Sequence, residues 1–109
     1  MPDKTSVDEL AAVLTAPYTH LELGQVNDHA AYVLHFQGEF PFHHHTQDEM
    51  YIVLEGEVKL EFRNQPSVTL KKNECCVVRA YTTHSSDSEG ALVLMFKPKE
   101  MFGNITESD

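Results

Sequence analysis

The chain has 109 residues, which is enough for one domain with a single hydrophobic core. Hydrophobic residues make up 41% and charged residues 23% of it, as in folded soluble domains and unlike disordered chains. The net charge is -9, and a surface this acidic repels phosphate backbones and anionic lipid headgroups. We therefore expect neither a nucleic-acid partner nor a membrane partner.

The N-terminal residues have neither the basic start nor the apolar core of a signal peptide, and no apolar run reaches membrane-spanning length. The two cysteines, Cys75 and Cys76, are adjacent, and neighbouring residues of a strand point to opposite faces. A disulfide between them would be strained. We therefore predict two reduced cysteines in a cytoplasmic protein.

A short helix is predicted near the N-terminus. Ser6 and Glu9 have the spacing of a capping box, in which the serine caps the helix. Apolar residues then recur at helical spacing as far as Leu14, and Pro17 ends the helix. We expect a helix of about three turns within residues 1–17, packed on the main body of the protein.

From residue 18 onward the pattern is typical of strands separated by turn-forming residues. Many short strands at regular spacing, with no second helix, predict a single all-β sandwich or barrel over residues 18–103. The polar residues 104–109 are expected to fray. The predicted strands are Thr19–Leu23, Ala31–Gln37, Phe42–His45, Glu49–Leu54, Val58–Arg63, Ser67–Leu70, Cys75–Val78, Thr82–His84 and Ala91–Lys97.

A hairpin is predicted for the strands Glu49–Leu54 and Val58–Arg63, which Glu55 and Gly56 would join as a turn. The second strand has apolar residues at every other position, so one of its faces is expected to be buried and the other wet. The first strand carries apolar side chains on both faces. We expect a subunit to cover one of them and predict a homodimer.

Three consecutive histidines precede this hairpin. Strand alternation places His43 and His45 on one face and His44 on the other, where it would be a surface or interface residue. Glu49, four residues further on, would add a carboxylate oxygen to two imidazole nitrogens, which makes most of a metal site. Asp48, next to Glu49, is expected on the opposite face in solvent.

A further metal ligand has to come from elsewhere in the chain. His84 is the best candidate because it follows a strand and a turn. Three histidines and one carboxylate would leave open positions on a six-coordinate ion, where a substrate or dioxygen can bind. The same donors suit manganese, iron, nickel, copper or zinc, so we predict one divalent transition metal without assigning the element.

The pattern Gly38-x4-His43-x-His45-x3-Glu49-x6-Gly56 resembles the first motif of the cupin family. That motif places two histidines, a glutamate and a glycine in this order. The spacing matches from the second histidine to the final glycine. The gap between the first glycine and the first histidine is one residue shorter than the usual form.

The second cupin motif has a glycine, then Pro-x-Gly, then a histidine. At these positions the chain has Asn73, Arg79, Tyr81 and His84, so only the histidine matches. A tight turn with a positive φ would suit glycine better than Tyr81. The resemblance covers roughly residues 30–97.

The resemblance implies a cupin-type jelly-roll barrel in which His43, His45, Glu49 and His84 bind one metal ion inside the barrel. Short single-domain cupins include isomerase-like, dioxygenase-like and decarboxylase-like proteins. The resemblance therefore implies an enzyme acting on a small, oxygen-rich molecule. Two alternatives stay open, a non-catalytic ligand-binding or sensor domain and a purely structural scaffold.

Four other residues are candidates for the substrate pocket. Phe36 or Phe40 would line the mouth of the barrel, and Tyr51 shares the strand face of Glu49. Arg79 would pair with an anionic substrate if it points inward. Core packing or a surface position is the alternative for each of them. The remaining histidines are expected to be ordinary hydrogen-bonded residues: His20, His29 and His35.

Overall fold

The computed structural model describes residues 3–99, 101 and 105–106. Most of these residues lie in strands, which confirms the all-β class. The single helix of the described residues, α1, is Val7–Ala11. The strands are β1 Leu21–Val26, β2 His29–His44, β3 Glu49–Phe62, β4 Val68–Leu70, β5 Cys75–Val78, β6 His84–Pro98 and β7 Ile105–Thr106.

The strands form one antiparallel sheet in the order β1-β2-β6-β3-β4, with β5 pairing to β3 and β7 pairing to β2. The three long strands carry most of the pairing, because β6 lies between β2 and β3 and pairs with both. Bulges interrupt the register of these pairs, and bulges bend strands. The inner face of the bent sheet therefore surrounds a common core.

The predicted hairpin is wrong. Glu49–Leu54 and Val58–Arg63 are, up to Phe62, two halves of β3, which continues through Gly56. Strand β6 pairs with both halves, and the register shifts on either side of Gly56. This glycine has φ 81, so it forms a bulge that redirects the strand instead of reversing it.

Two other glycines that lie between predicted strands, Gly38 and Gly90, are also inside long strands. Gly38, with φ 80, is a bulge in β2, which joins Ala31–Gln37 to most of Phe42–His45. Gly90 lies inside β6, which runs from His84 through the predicted strand Ala91–Lys97. A glycine in an extended segment is compatible with a turn or a bulge, and the neighbouring strands decide between them.

The core lies on the inner face of the bent sheet. In the second half of β3, Val58 and Leu60 are buried while Lys59 between them is exposed, which confirms the predicted alternation. The buried hydrophobic cluster consists of Leu34, Phe36, Tyr51, Val53, Val58, Leu60, Leu70, Val78, Ala91, Val93 and Met95.

Helix α1 begins as predicted, because the side chain of Ser6 accepts a hydrogen bond from the backbone N–H of Glu9 at 3.2 Å. It has only five residues, however, and ends well before Pro17. None of its residues is buried, so tertiary packing gives little support for a longer helix. The helix contacts β1 and β2, and it lies outside the sheet.

Part of the C-terminal tail that was expected to fray forms strand β7. Ile105 and Thr106 pair with His44 and His43 of β2. This short pairing covers one edge of the segment that carries the consecutive histidines. Residues 104 and 107–109 lie outside the described part of the chain.

Three further predictions concern the cysteines, membrane-spanning segments and the outer face of β3. Cys75 and Cys76 are free thiols. Across the described residues, no helix has the length and apolarity that crossing a membrane requires. On the outer face of β3, Met50 and Ile52 are half-buried. The homodimer stays a prediction.

Candidate metal centre

The structure brings together His43, His45, Glu49 and His84. Each of them offers one ligand atom, and these atoms all lie within 4.8 Å of one another. All four residues are buried, with at most 6% of their surface exposed. His44 lies on the other face of β2, half-buried, with its ring 6.0 Å from that of Tyr81.

The strand register explains why these side chains meet. His43 near the end of β2 pairs directly with His84 at the start of β6, and their ring centroids are 4.3 Å apart. His45 follows β2 immediately, and Glu49 begins β3 after a short connection. Three strand ends therefore deliver the four side chains to one point on the inner face of the sheet.

Backbone carbonyls orient two of the imidazoles. Nδ1 of His43 lies 2.8 Å from the carbonyl oxygen of Pro41, and Nδ1 of His84 lies 2.7 Å from that of Thr82. A carbonyl only accepts hydrogen bonds, so Nδ1 carries the proton in both rings. Each Nε2 then has its lone pair directed at the cluster, which is the tautomer that a metal ligand needs.

Glu49 connects the cluster. Its Oε1 accepts a hydrogen bond from the Tyr51 hydroxyl at 2.8 Å and lies 3.5 Å from Nε2 of both His45 and His84. Within the described part of the chain, its Oε2 is buried and has no hydrogen-bond partner. A buried carboxylate oxygen without a partner is costly, and a bound cation would satisfy it.

The spacing and chemistry of these donors fit a divalent transition metal ion. Ligand atoms on opposite sides of such an ion lie about 4 Å apart, because metal–ligand bonds are about 2.0–2.2 Å long. The ligand atoms of the cluster lie within 4.8 Å of one another, and Oε1 of Glu49 lies 3.5 Å from Nε2 of both His45 and His84, so small side-chain rotations would bring them to metal-binding distances. Imidazole nitrogens with one carboxylate oxygen suit transition metals better than calcium or magnesium, which prefer oxygen ligands.

The protonation states also favour metal binding. Burial lowers the pKa of His43 to about 4, and the hydrogen bond to Pro41 offsets this only in part. Burial raises the pKa of Glu49, but its contacts with His84, His45 and Tyr51 outweigh this effect and leave the pKa below its usual value. Near neutral pH the cluster therefore offers a neutral imidazole and an ionised carboxylate.

We expect the metal-free protein to lose stability between pH 7 and pH 5. The pKa of His43 is about 4 in the folded chain against an ordinary 6.5, so the unfolded chain binds more protons between these values. The neutral, buried His43 ring contributes its full stabilisation above pH 6.5, and this contribution is lost as the pH falls towards 4. Compared with pH 7, protonation of His43 should lower the free energy of unfolding by about 2 kcal/mol at pH 5.

Urea denaturation of chelator-treated protein at the two pH values measures this loss. The His43→Gln variant lacks the titrating group and should show a weaker dependence on pH. Equal dependence in the two proteins would contradict the assignment of the loss to His43.

In the turn at Asn73 and in the turn before His84, residues at glycine positions of the second cupin motif adopt backbone conformations that suit glycine. Asn73 and Tyr81 have φ values of 70 and 63, in the left-handed region that glycine favours. The N–H of Tyr81 donates to the carbonyl of His45 at 2.7 Å, and the N–H of Ala80 donates to Asp48 at 2.8 Å. These bonds tie the turn to the segment that carries the other ligands.

Two surface residues, Asp48 and Arg79, form an ion pair beside this turn. Asp48 is exposed but not merely solvated, because it accepts hydrogen bonds from Ala80 and, at 3.1 Å, from Arg79. Arg79, a candidate for the pocket, is 73% exposed in its side chain and points to Asp48 on the surface. Arg79, at the Pro position of the cupin motif, therefore takes the surface position that was the alternative to a role in the pocket.

A cavity of about 220 Å³ adjoins the cluster. His43 and His45 form part of its wall, so a metal ion held by the cluster would face it. The pocket candidates Phe36, Phe40 and Tyr51 also line it, whereas Arg79 does not. The other lining residues are Tyr18, His20, Leu34, Ser86, Met95 and Lys97.

Two cavity residues, His20 and Lys97, were not predicted as site residues. His20 is hydrogen-bonded as expected, and its Nε2 lies 3.0 Å from Nζ of Lys97 at the cavity wall. Alternation along β6 could have identified Lys97, since Val93 and Met95 are buried and the next residue on their face is this lysine. No sequence signal identifies His20, which reaches the cavity only through the tertiary fold.

Tyr51→Phe should weaken metal binding by about 10-fold to 100-fold, because it removes the hydrogen bond that fixes the Glu49 carboxylate. Titration calorimetry with Zn²⁺ measures this change. Tyr32→Phe is the matched control, since the Tyr32 hydroxyl contacts the carbonyl of Lys99 away from the cluster. Equal affinity of the two variants would contradict a role of the Tyr51 hydroxyl in orienting Glu49.

The fold and the cluster define a class of protein: a small antiparallel β domain with three histidines and one glutamate buried on its inner face. Residues 32–96 match the family model described as the cupin domain. The chain belongs to the cupin family, which confirms the resemblance of its histidine motif.

Known proteins agree with this assignment. The chain is 35% identical over 72 residues to the uncharacterized protein YdbB of Bacillus subtilis (strain 168), a match that covers 65% of the chain and 64% of that relative. The chain thus spans slightly less than two thirds of this relative's length.

Two crystal structures show the same fold. A cupin-2 domain protein of Shewanella frigidimarina has a TM-score of 0.82 at 24% identity, covering 87% of the chain and 94% of that protein. The hydroquinone 1,2-dioxygenase of Sphingomonas sp. TTNP3 has a TM-score of 0.74 at 14% identity, covering 95% of the chain and 77% of that protein.

Proposed function

We propose that this protein is a metal-dependent enzyme that acts on a small oxygen-bearing molecule in the cavity beside the cluster. One divalent transition metal ion would be held by His43, His45, Glu49 and His84. The observation that carries this proposal is the buried, unpartnered Oε2 of Glu49 among converging histidine nitrogens.

The position of the cluster supports catalysis over a purely structural metal site. His43 and His45 line the cavity, so the ion would face a space that can hold a ligand. Four protein ligands leave positions open on a six-coordinate ion. When bound there, the ion would polarise an oxygen of the substrate or, if it is iron, activate dioxygen.

Tyr51 would orient Glu49 and keep its own proton. Burial raises the pKa of Tyr51 well above its usual value, so its hydroxyl keeps its proton and serves as a donor to Glu49. Tyr51 is therefore unsuited to act as a general base near neutral pH.

The lining of the cavity favours a compact substrate with an apolar body. Leu34, Phe36, Phe40 and Met95 provide apolar walls. The other lining residues carry polar groups, so the cavity can also bind the oxygen atoms of a substrate. This mixed lining is compatible with isomerase-like, dioxygenase-like and decarboxylase-like chemistry. The likeness to a dioxygenase at 14% identity supports the fold alone.

A screen of metal-loaded protein tests the proposed function. Samples reconstituted separately with Fe²⁺, Mn²⁺, Ni²⁺, Cu²⁺ or Zn²⁺ would be incubated with small aromatic and aliphatic hydroxy acids and keto acids, and with a sugar phosphate as comparison. Dioxygen uptake and product formation would be followed. Turnover that requires the metal and disappears in Glu49→Gln would support an enzyme.

The same screen addresses the alternative of a non-catalytic binding domain. Absence of turnover with every metal, together with a ligand-dependent rise in melting temperature, would favour a binding or sensor role and overturn the catalytic proposal.

A further inference from the structure

We infer that Lys97 forms an anion-binding subsite next to the metal centre, which selects substrates carrying a carboxylate group. The inference rests on the proposed function, because it takes the cavity as the substrate site. Lys97 lines this cavity and is only 3% exposed. Lysine is rarely this buried, so an amino group at the wall of this cavity is an unusual feature of the site.

The strand register places Lys97 next to the cluster. Met50 of β3 pairs with Phe96 of β6 in an antiparallel arrangement. Continuing this register by one residue sets Glu49 opposite Lys97, with both side chains on the inner face. The charge of Glu49 acts on Lys97, where it opposes the effect of burial on the pKa of the lysine.

His20 orients the amino group of Lys97 and does not neutralise it. Nδ1 of His20 lies 3.1 Å from the carbonyl oxygen of Tyr18 and therefore carries the proton. Its Nε2 accepts a hydrogen bond from Nζ of Lys97 at 3.0 Å. Burial and the charge of Lys97 lower the pKa of His20 to about 4, so the imidazole is neutral near pH 7.

The charges around the cavity favour an anionic ligand. Among the described residues that line it, none is an aspartate or a glutamate. A divalent ion at the cluster and the Lys97 ammonium at the cavity wall would both attract an anion bound in the cavity.

An aromatic wall of the cavity defines the body of the ligand. The Tyr18 ring packs against Phe36 and Phe40, with ring centroids 5.1 and 4.9 Å apart. All three residues line the cavity. Together with its volume of about 220 Å³, this wall suits a compact carboxylate with a flat or apolar body.

Benzoate and benzamide test the subsite, because they have nearly the same shape and differ in charge. Titration calorimetry would measure the affinity of each compound for the wild type and for the Lys97→Met variant, both loaded with Zn²⁺. We expect Lys97→Met to weaken benzoate binding about 10-fold to 100-fold, the effect of losing a hydrogen bond to a charged group, and to leave benzamide binding unchanged.

Lys59→Met is the matched control. Lys59 is an exposed lysine of β3, about half accessible and paired with Glu61, so its removal changes the net charge equally without altering the cavity. This variant should bind benzoate like the wild type. If Lys97→Met does not fold, as judged by circular dichroism, Lys97→Gln gives the same comparison.

Two results would overturn the inference: equal benzoate affinity of wild type and the Lys97 variant, or no saturable benzoate binding by the wild type at millimolar concentration. Metal content is measured on the same samples. If the wild type binds no metal, the proposed function fails, and the benzoate comparison on metal-free protein still decides the role of Lys97.

Discussion

Glu49→Gln is expected to abolish stoichiometric metal binding at neutral pH while the protein stays folded. The glutamine has the shape of the glutamate but lacks its charge. Its amide nitrogen would place hydrogen atoms among histidine nitrogens whose lone pairs converge on the same point. We expect the affinity for Zn²⁺ to fall more than about 100-fold, beyond the effect of losing a residue that only supports a metal ligand.

Titration calorimetry with Zn²⁺ measures the loss, and circular dichroism verifies the fold. Glu55→Gln is the matched control, because Glu55 lies on the same strand with a side chain that is 67% exposed and pairs with Lys72 at the surface. It should bind Zn²⁺ like the wild type. Wild-type affinity in Glu49→Gln would show that the cluster does not hold the metal.

Gly56→Ala is expected to destabilise the fold severely. Gly56 has φ 81, a conformation that costs about 1–2 kcal/mol for a residue with a Cβ. An added Cβ would also collide with the backbone oxygen of Gly90 and lie 3.0 Å from Cα of Ala91. Such overpacking adds about 1–3 kcal/mol, so the total loss should be about 3 kcal/mol or more.

Urea denaturation of the metal-free protein measures this loss. Gly24→Ala is the matched control, because Gly24 lies in β1 and a Cβ there would meet no atom within 4 Å. Its free energy of unfolding should change by less than about 1 kcal/mol. Similar stability of the two variants would contradict the tight bulge at Gly56.

Three members of the cluster, His43, His45 and Glu49, could be predicted because their placement depends on local rules. Alternation along one strand separates His43 and His45 from His44, and the family motif supplies the spacing to Glu49. The Ser6 cap was predicted for the same reason, since a capping box involves residues three apart.

The lengths of the strands could not be predicted from local patterns. Glycine inside an extended segment is compatible with a reversal of the chain or with a bulge. At Gly56 the choice depends on β6, which lies far along the chain and pairs with both halves of β3. Pairing partners are a property of the whole fold, so the hairpin prediction had no means of excluding the bulge.

The orientation of the two cationic side chains, Arg79 and Lys97, also depends on the surrounding fold. Arg79 was a candidate because of its charge, but a hydrogen bond to Asp48 directs it outward. Lys97 carries the same charge and points inward, which follows from its place in the alternation of β6. Tyr81 adopts a positive φ without being glycine, because bonds to His45 and Asp48 stabilise the surrounding turn.

The most direct test of the metal centre is the metal content of the purified protein. Wild type and Glu49→Gln would be purified without chelators or metal-affinity resin, and elemental mass spectrometry would give the ratio of transition metal to chain. We expect one equivalent of a divalent transition metal in the wild type and almost none in the variant. A wild-type protein without bound metal, even after reconstitution with each of the five candidate ions, would contradict the assignment of His43, His45, Glu49 and His84 as a metal centre.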